Sequence, residues 1–208
     1  MLNVFSFLIS GVVLGLTAGI SPGPLLTLVI SETLRHNTMA GVKVAFAPLI
    51  TDGPIILISI FILTKVSNLN GVLGVISLLG AIFLGYLAYE SLTIKGVNFN
   101  FDKSKEQSLK KGIITNALNP SPYLFYFSVG GPIMLKALDS SFFAVLFFIS
   151  SFLILLVSSK IILAVIVSKS KSFLKSKVYI YTIKFLGLIL FIFSMIFLKD
   201  AFKFFSLL

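Results

Sequence analysis

Asp52 stands in an apolar run from Ala40 to Thr64, twelve residues from either end. If that run is a helix, the carboxylate lies about 18 Å from each end. An acid so placed can accept a proton or hold an ammonium group; a plain helix–helix hydrogen bond or ion pair is the structural alternative. Lys160 lies in a second apolar run, Phe142–Ser168, eight residues from its end. It can pair with Asp52, in an ion pair broken by a solute or a proton, or extend its stem to the polar surface. Two short segments complete the set: Ser21-Pro22-Gly23-Pro24 and Asn119-Pro120-Ser121-Pro122, whose prolines repeat at an offset of 98. Each proline removes a backbone donor and interrupts a helix. A half-helix restarting near Leu25 or near Tyr123 offers unpaired N–H groups and partial positive charge, which favours a carboxylate. Unwound carbonyls, with the side chains of Ser21, Asn116, Asn119 and Ser121, suit an ammonium group.

The elements that must position these groups are apolar helices. The chain has 208 residues, 57% hydrophobic and 12% charged, whereas a soluble domain carries about 25% charge. Crossing a hydrocarbon core takes about 20 apolar residues. Six such spans are expected: Val4–Leu34, Ala40–Thr64, Leu69–Ile94, Gly112–Leu135, Phe142–Ser168 and Tyr179–Leu198. The fold class is therefore an all-α integral membrane protein, with proline-broken first and fourth helices. Both breaks fall about ten residues from one end of their span, hence about 15 Å deep. Unwound backbone at that depth must line a cavity or be buried in protein. The start of the chain has no positive stretch before its apolar run, so it reads as a retained first span rather than a signal peptide.

Charge decides orientation. Eleven Lys and Arg fall on the side holding Arg35, Lys43, the polar interval Lys95–Lys111 and Lys169–Lys177, against four on the side of Lys65, Lys136, Lys199 and Lys203. The positive-inside rule makes the first side cytoplasmic and turns both termini outward. The net charge of +10 is thus spent on orientation, and no basic face is left for nucleic acid. With no cysteine, disulfides and thiolate metal sites are excluded. His36, the single histidine, builds no metal site by itself. Neither a metal nor another cofactor is expected, and a membrane-embedded enzyme would have only Asp52 and Lys160 as an acid–base pair. Glu32 and Arg35 close the first span, either as a solvated pair or as a gate at the cytoplasmic mouth.

The polar interval divides the chain into a first unit (1–94), a cytoplasmic loop (95–111) and a second unit (112–208). Three helices per unit give the second unit the opposite sense, an inverted repeat of the kind found in transporters. A weaker echo agrees: Phe83-Leu84-Gly85 recurs as Phe185-Leu186-Gly187, offset by 102. Small residues recur at helical spacing at Gly11, Gly15 and Gly19, and again at Gly74, Ser77, Ala81, Gly85 and Ala88. Such stripes let helices approach closely in lipid.

An ordered set of these residues resembles the lysine-exporter superfamily, specifically the LysE/RhtB-type amino-acid exporters. The set is Gly15-x3-Gly19-x2-Pro22-Gly23-Pro24, Gly41, Asp52, Gly80-x4-Gly85-Tyr86-Leu87-Ala88-Tyr89, and Lys111-Gly112 leading to Asn116-x2-Asn119-Pro120. Members commonly carry Lys after the Asn-Pro pair; here Ser121 removes that buried charge. The resemblance implies a secondary exporter in the cell membrane, moving amino acids or related metabolites outward on a proton or ion gradient. Its partners would be the solute, a coupling proton or cation, the lipid bilayer and, as an option, a second copy of the chain. Pro22, Gly23, Pro24, Pro120 and Pro122 join Ser21, Asp52, Asn116, Asn119 and Ser121 as the expected substrate site, with Asp52 and Lys160 coupling protons. Two alternatives stay open: efflux of an inorganic ion or metal, and a scaffold or subunit without transport.

Overall fold

The computed structural model describes residues 4–66, 70–93, 107–170 and 176–205, and among these there is no strand. The helices are α1 (Val4–Ile20), α2 (Pro24–Arg35), α3 (Thr38–Ala45), α4 (Ala47–Val66) and α5 (Asn70–Thr93). They continue with α6 (Ser108–Leu118), α7 (Pro120–Phe125), a π-helical turn (Tyr126–Gly130), α8 (Gly131–Ser140), α9 (Phe142–Lys169) and α10 (Lys177–Phe204).

Four stretches are long and apolar enough to cross a membrane: Thr38–Lys65, Gly71–Thr93, Phe142–Lys169 and Ile180–Phe204. The pair α1–α2, bent by 57° at the first proline segment, makes a fifth by length and composition. The expected fourth span is cut into α6, α7, the π turn and α8, each shorter than a bilayer crossing needs. The expected loop 95–111 is shorter at its far end, because α6 already begins at Ser108; residues 94–106 lie outside the described residues. Lys171 and Lys175, counted for orientation, lie outside them as well.

The surface is inverted relative to a water-soluble protein. Leu57, Phe143 and Ile154 are 70%, 67% and 62% exposed, while Asp52 and Lys160 are 3% exposed and Glu32 is 0%. Large apolar side chains facing outward around buried charges suit a hydrocarbon solvent.

Glycines set the helix pairs. Gly11, Gly15 and Gly19 of α1 face Ser151, Phe152 and Ser159 of α9 in the same order, so these two helices run parallel. A side chain at Gly15 would overlap the Phe152 backbone. Gly112 abuts Val44 and Ala47, and Gly131 abuts Leu63, so the broken segment advances beside α3 and α4 in the same direction. Both paths take nineteen residues between those contacts, Val44 to Leu63 and Gly112 to Gly131. Helices α5 and α10 run antiparallel: Gly85 faces Ser194, and Gly187 faces Ser91 and the carbonyl of Ala88. Ser194 closes the contact by donating to the Ala81 carbonyl at 2.7 Å. The two Phe-Leu-Gly glycines thus occupy corresponding places on the two helices.

Candidate functional site

The first gap follows from its prolines. Ser21 N–H reaches the Thr17 carbonyl at 2.9 Å, and then the ladder stops. Pro22 and Pro24 lack the N–H groups that the carbonyls of Ala18 and Ile20 would otherwise accept from. Lys160, deep within α9, supplies the donor missing at Ala18, with its Nζ 3.2 Å from that carbonyl, and also reaches the neighbouring Gly19 carbonyl at 3.1 Å. A cation at a helix C-terminus also faces the negative end of the peptide dipoles. Lys160 is therefore neither extended to the surface nor within ion-pair distance of Asp52, the two arrangements expected from sequence. Carbonyls at the end of a broken helix, more than 140 residues away in sequence but within hydrogen-bond distance, hold it instead.

Helix α2 restarts at Pro24, with Gly23 as an N-cap that provides no side-chain bond. Leu25 and Leu26 of its first turn line the cavity described below. The second gap is tighter. Asn119 donates its N–H to the Asn116 carbonyl at 3.2 Å, and α7 resumes at once at Pro120, ahead of the expected restart near Tyr123. The Asn119 side chain accepts from Ser121 N–H at 3.1 Å. The Tyr123 hydroxyl donates to the Ala117 carbonyl at 2.8 Å. With Pro120 and Pro122 lacking N–H groups and Ser121 already bonded, this helix start has little left for an anion. The two expected half-helix N-termini are chemically unequal.

Asp52 is held by two donors, with the Thr51 hydroxyl, which also reaches the Ala47 carbonyl at 3.1 Å, beside them. The Asn116 amide reaches Oδ1 at 2.8 Å and the Tyr126 hydroxyl reaches Oδ2 at 3.0 Å. Thr51 Oγ1 lies 3.2 Å from Oδ1 and itself accepts from Asn116 at 2.6 Å. Asn116 precedes the second gap and Tyr126 follows it, so one carboxylate bridges the break. Thr51 and Tyr126 were not singled out from sequence. Thr51 adjoins Asp52, but a tyrosine on a π-helical turn, packed edge-on against Phe125 at 5.2 Å and Phe152 at 5.9 Å, reads as ordinary apolar filling.

Asp52, Asn116, Tyr126 and Lys160 border one cavity of ≈140 Å³. A water needs about 10–15 Å³ by the same measure, so the space takes a molecule of several heavy atoms. Its polar side chains are Thr17, Ser21, Asp52, Asn116, Asn119, Ser121, Tyr126 and Lys160, and Pro22, Gly23, Pro24 and Pro122 of the two gaps line it beside them. Pro120, the remaining expected site residue, is not among the lining residues. The opposite wall is hydrocarbon, from Phe83, Leu84 and Leu87 of α5, Phe152 and Leu156 of α9, and Leu190 of α10.

A second polar cluster lies where α2 ends and α6 begins. Glu32, expected to be a solvated partner of Arg35 or a gate, is wholly buried. It accepts from Ser108 Oγ at 2.6 Å and Lys111 Nζ at 2.7 Å, with His36 Nε2 at 3.7 Å. The fold brings Ser108 and Lys111 to it across the sequence gap, which the spacing of Glu32 and Arg35 does not reveal. Among the described residues, no group of His, Cys, Asp and Glu could hold a metal ion.

The family model described as LysE type translocator matches residues 16–201. No curated protein and no solved structure matches the chain. The matched stretch contains both proline gaps, Asp52, Asn116, Tyr126 and Lys160. It is a family of translocators rather than of enzymes, and its helices here are apolar enough for several membrane crossings. The chain belongs to the LysE type translocator family, and is a multi-pass membrane protein for transport of small solutes such as amino acids.

Proposed function

We propose that the protein is a secondary exporter of amino acids or related small metabolites, driven outward by a proton or ion gradient, with its site in the cavity between two inverted three-helix units. The observation that carries this reading is the meeting of both proline gaps at one cavity containing a buried acid and a buried base. In this reading the chain crosses the bilayer six times with both termini outside.

Helix directions support the six crossings. A chain that alternates direction makes spans one and five parallel, spans two and four parallel, and spans three and six antiparallel. Those are the relationships of α1 with α9, α4 with the broken segment, and α5 with α10. Exchanging the two units maps the first pairing onto the second and the third onto itself, as an inverted repeat requires. The broken segment is interrupted, yet it keeps pace with α4 over nineteen residues.

The solute carboxylate is assigned to the first gap, where the uncapped start of α2 and the cationic Lys160 both line the cavity. Its ammonium group, or a coupled proton, is assigned to Asp52. Rocking of one unit against the other would expose the cavity alternately to each side.

Counterflow in proteoliposomes tests this directly. Labelled amino acids are expected to exchange through the reconstituted protein, with Asp52→Asn abolishing exchange or its pH dependence. Exchange of inorganic ions alone would favour ion efflux. A dry, unreactive pair of cysteines at Ser21→Cys and Ser121→Cys, with no exchange of any solute, would favour a scaffold and overturn the proposal.

A further inference from the structure

The two charged residues of the cavity are arranged crosswise. Asp52 sits on α4, yet its hydrogen bonds to Asn116 and Tyr126 grip both lips of the gap in the 108–140 segment. Lys160 sits on α9, yet its ammonium group rests on the Ala18 and Gly19 carbonyls at the lip of the gap after α1. In each case the helix that follows one broken segment holds the other broken segment. The opposite signs have a chemical reason. The first gap presents carbonyls without donors, so it takes a cation; the second presents an amide and a hydroxyl, so it takes an anion.

We propose that Asp52 and Lys160 are reciprocal clamps, each fixing the broken helix of the opposite half, and that a solute frees both only when it carries an ammonium and a carboxylate group together. The inference rests on the exporter reading above. An ammonium group at Asp52 competes with Asn116 and Tyr126 for carboxylate lone pairs. A carboxylate at Lys160 is a stronger acceptor than the peptide carbonyls it displaces, because the bond is charge-assisted on both sides. With both ends present, every buried charge stays paired throughout the exchange. A solute with one charge would open one gap, leave the other clamped, and add an unpaired charge to a low-dielectric site. The rest of the wall, Leu84, Leu87, Phe152 and Leu190 among it, gives a third charge no partner. The favoured solute is therefore a neutral zwitterion with an apolar side chain.

Two measurements test the proposal. In counterflow with the full-length protein, each of the common L-amino acids is assayed. The fastest is then compared with its decarboxylated amine and its deaminated acid. Each single-charge analogue is expected to exchange at least about tenfold more slowly, the effect of one lost charge-assisted hydrogen bond. Exchange of either analogue at the parent rate overturns the clamp proposal and leaves the exporter reading standing. Absence of exchange for every solute overturns the exporter reading, and the clamps with it.

The second measurement does not depend on transport. Because the chain has no native cysteine, Ser21→Cys and Ser121→Cys each report on one gap by their rate of labelling with a water-soluble thiol reagent. Lys160→Met is expected to speed labelling at Ser21→Cys and leave Ser121→Cys unchanged; Asp52→Asn is expected to do the reverse. Equal changes at both sites, or none at either, would sink the reciprocal arrangement.

Discussion

Asp52 and Tyr126 are joined by a hydrogen bond of 3.0 Å from the tyrosine hydroxyl to Oδ2, linking α4 to the π-helical turn beyond the second gap. Tyr126→Phe removes that donor and keeps the ring contacts with Phe125 and Phe152. A buried carboxylate that loses one hydrogen bond is destabilised by about 1.5–3 kcal/mol. The variant is expected to insert and remain monodisperse in detergent, while its exchange rate in proteoliposomes falls about tenfold or more.

Close packing of α1 on α9 depends on Gly15, where any side chain meets the Phe152 backbone. Gly15→Val is expected to force the helices apart at a cost of about 1–3 kcal/mol, read as a lower midpoint of thermal aggregation in detergent. Gly53→Ala is the informative contrast. A methyl group there meets nothing within 4 Å, and replacing a helical glycine by alanine gains about 0.5–1 kcal/mol. The midpoint should stay or rise, although Gly53 adjoins Asp52.

Glu32 ties the end of α2 to the start of α6 through Ser108 and Lys111. Glu32→Ala leaves the buried Ser108 hydroxyl without that acceptor, at a cost of about 1–3 kcal/mol. Hydrogen exchange should quicken at the first turn of α6 and the last turn of α2 before it changes in α5 or α10. Uniform quickening across all helices would refute a local joint.

The Lys136–Asp200 pair at 2.6 Å joins α8 to α10, with side chains 44% and 27% exposed. Solvent screens such a pair, so Lys136→Ala should alter stability by no more than about 1 kcal/mol. The same position tests orientation. Lys136→Cys should react with a membrane-impermeant maleimide added to intact cells, whereas Lys110→Cys should react only after the membrane is opened. The reverse pattern would invert the topology assigned from charge.

Much of this protein is legible in its sequence because lipid imposes a rule that composition alone can satisfy. Apolar runs of bilayer length favour helices, so α5 and α9 fall within a residue of their expected bounds, while α10 runs on six residues past its expected end at Leu198. Proline removes donors whatever the surroundings, so both gaps lie where Pro22, Pro24, Pro120 and Pro122 dictate. The partners of buried charges were decided elsewhere. Lys160 chose the Ala18 and Gly19 carbonyls over Asp52, and Glu32 chose Ser108 and Lys111 over solvent. Tyr126 became a ligand of Asp52 only because a π-helical turn after the gap directs its hydroxyl there. Spacing along a chain reports which groups lack partners, but helix packing alone sets which of the many candidates arrive within hydrogen-bond distance. For this protein, sequence determined the helices and their interruptions, and tertiary structure decided which charge answers which interruption.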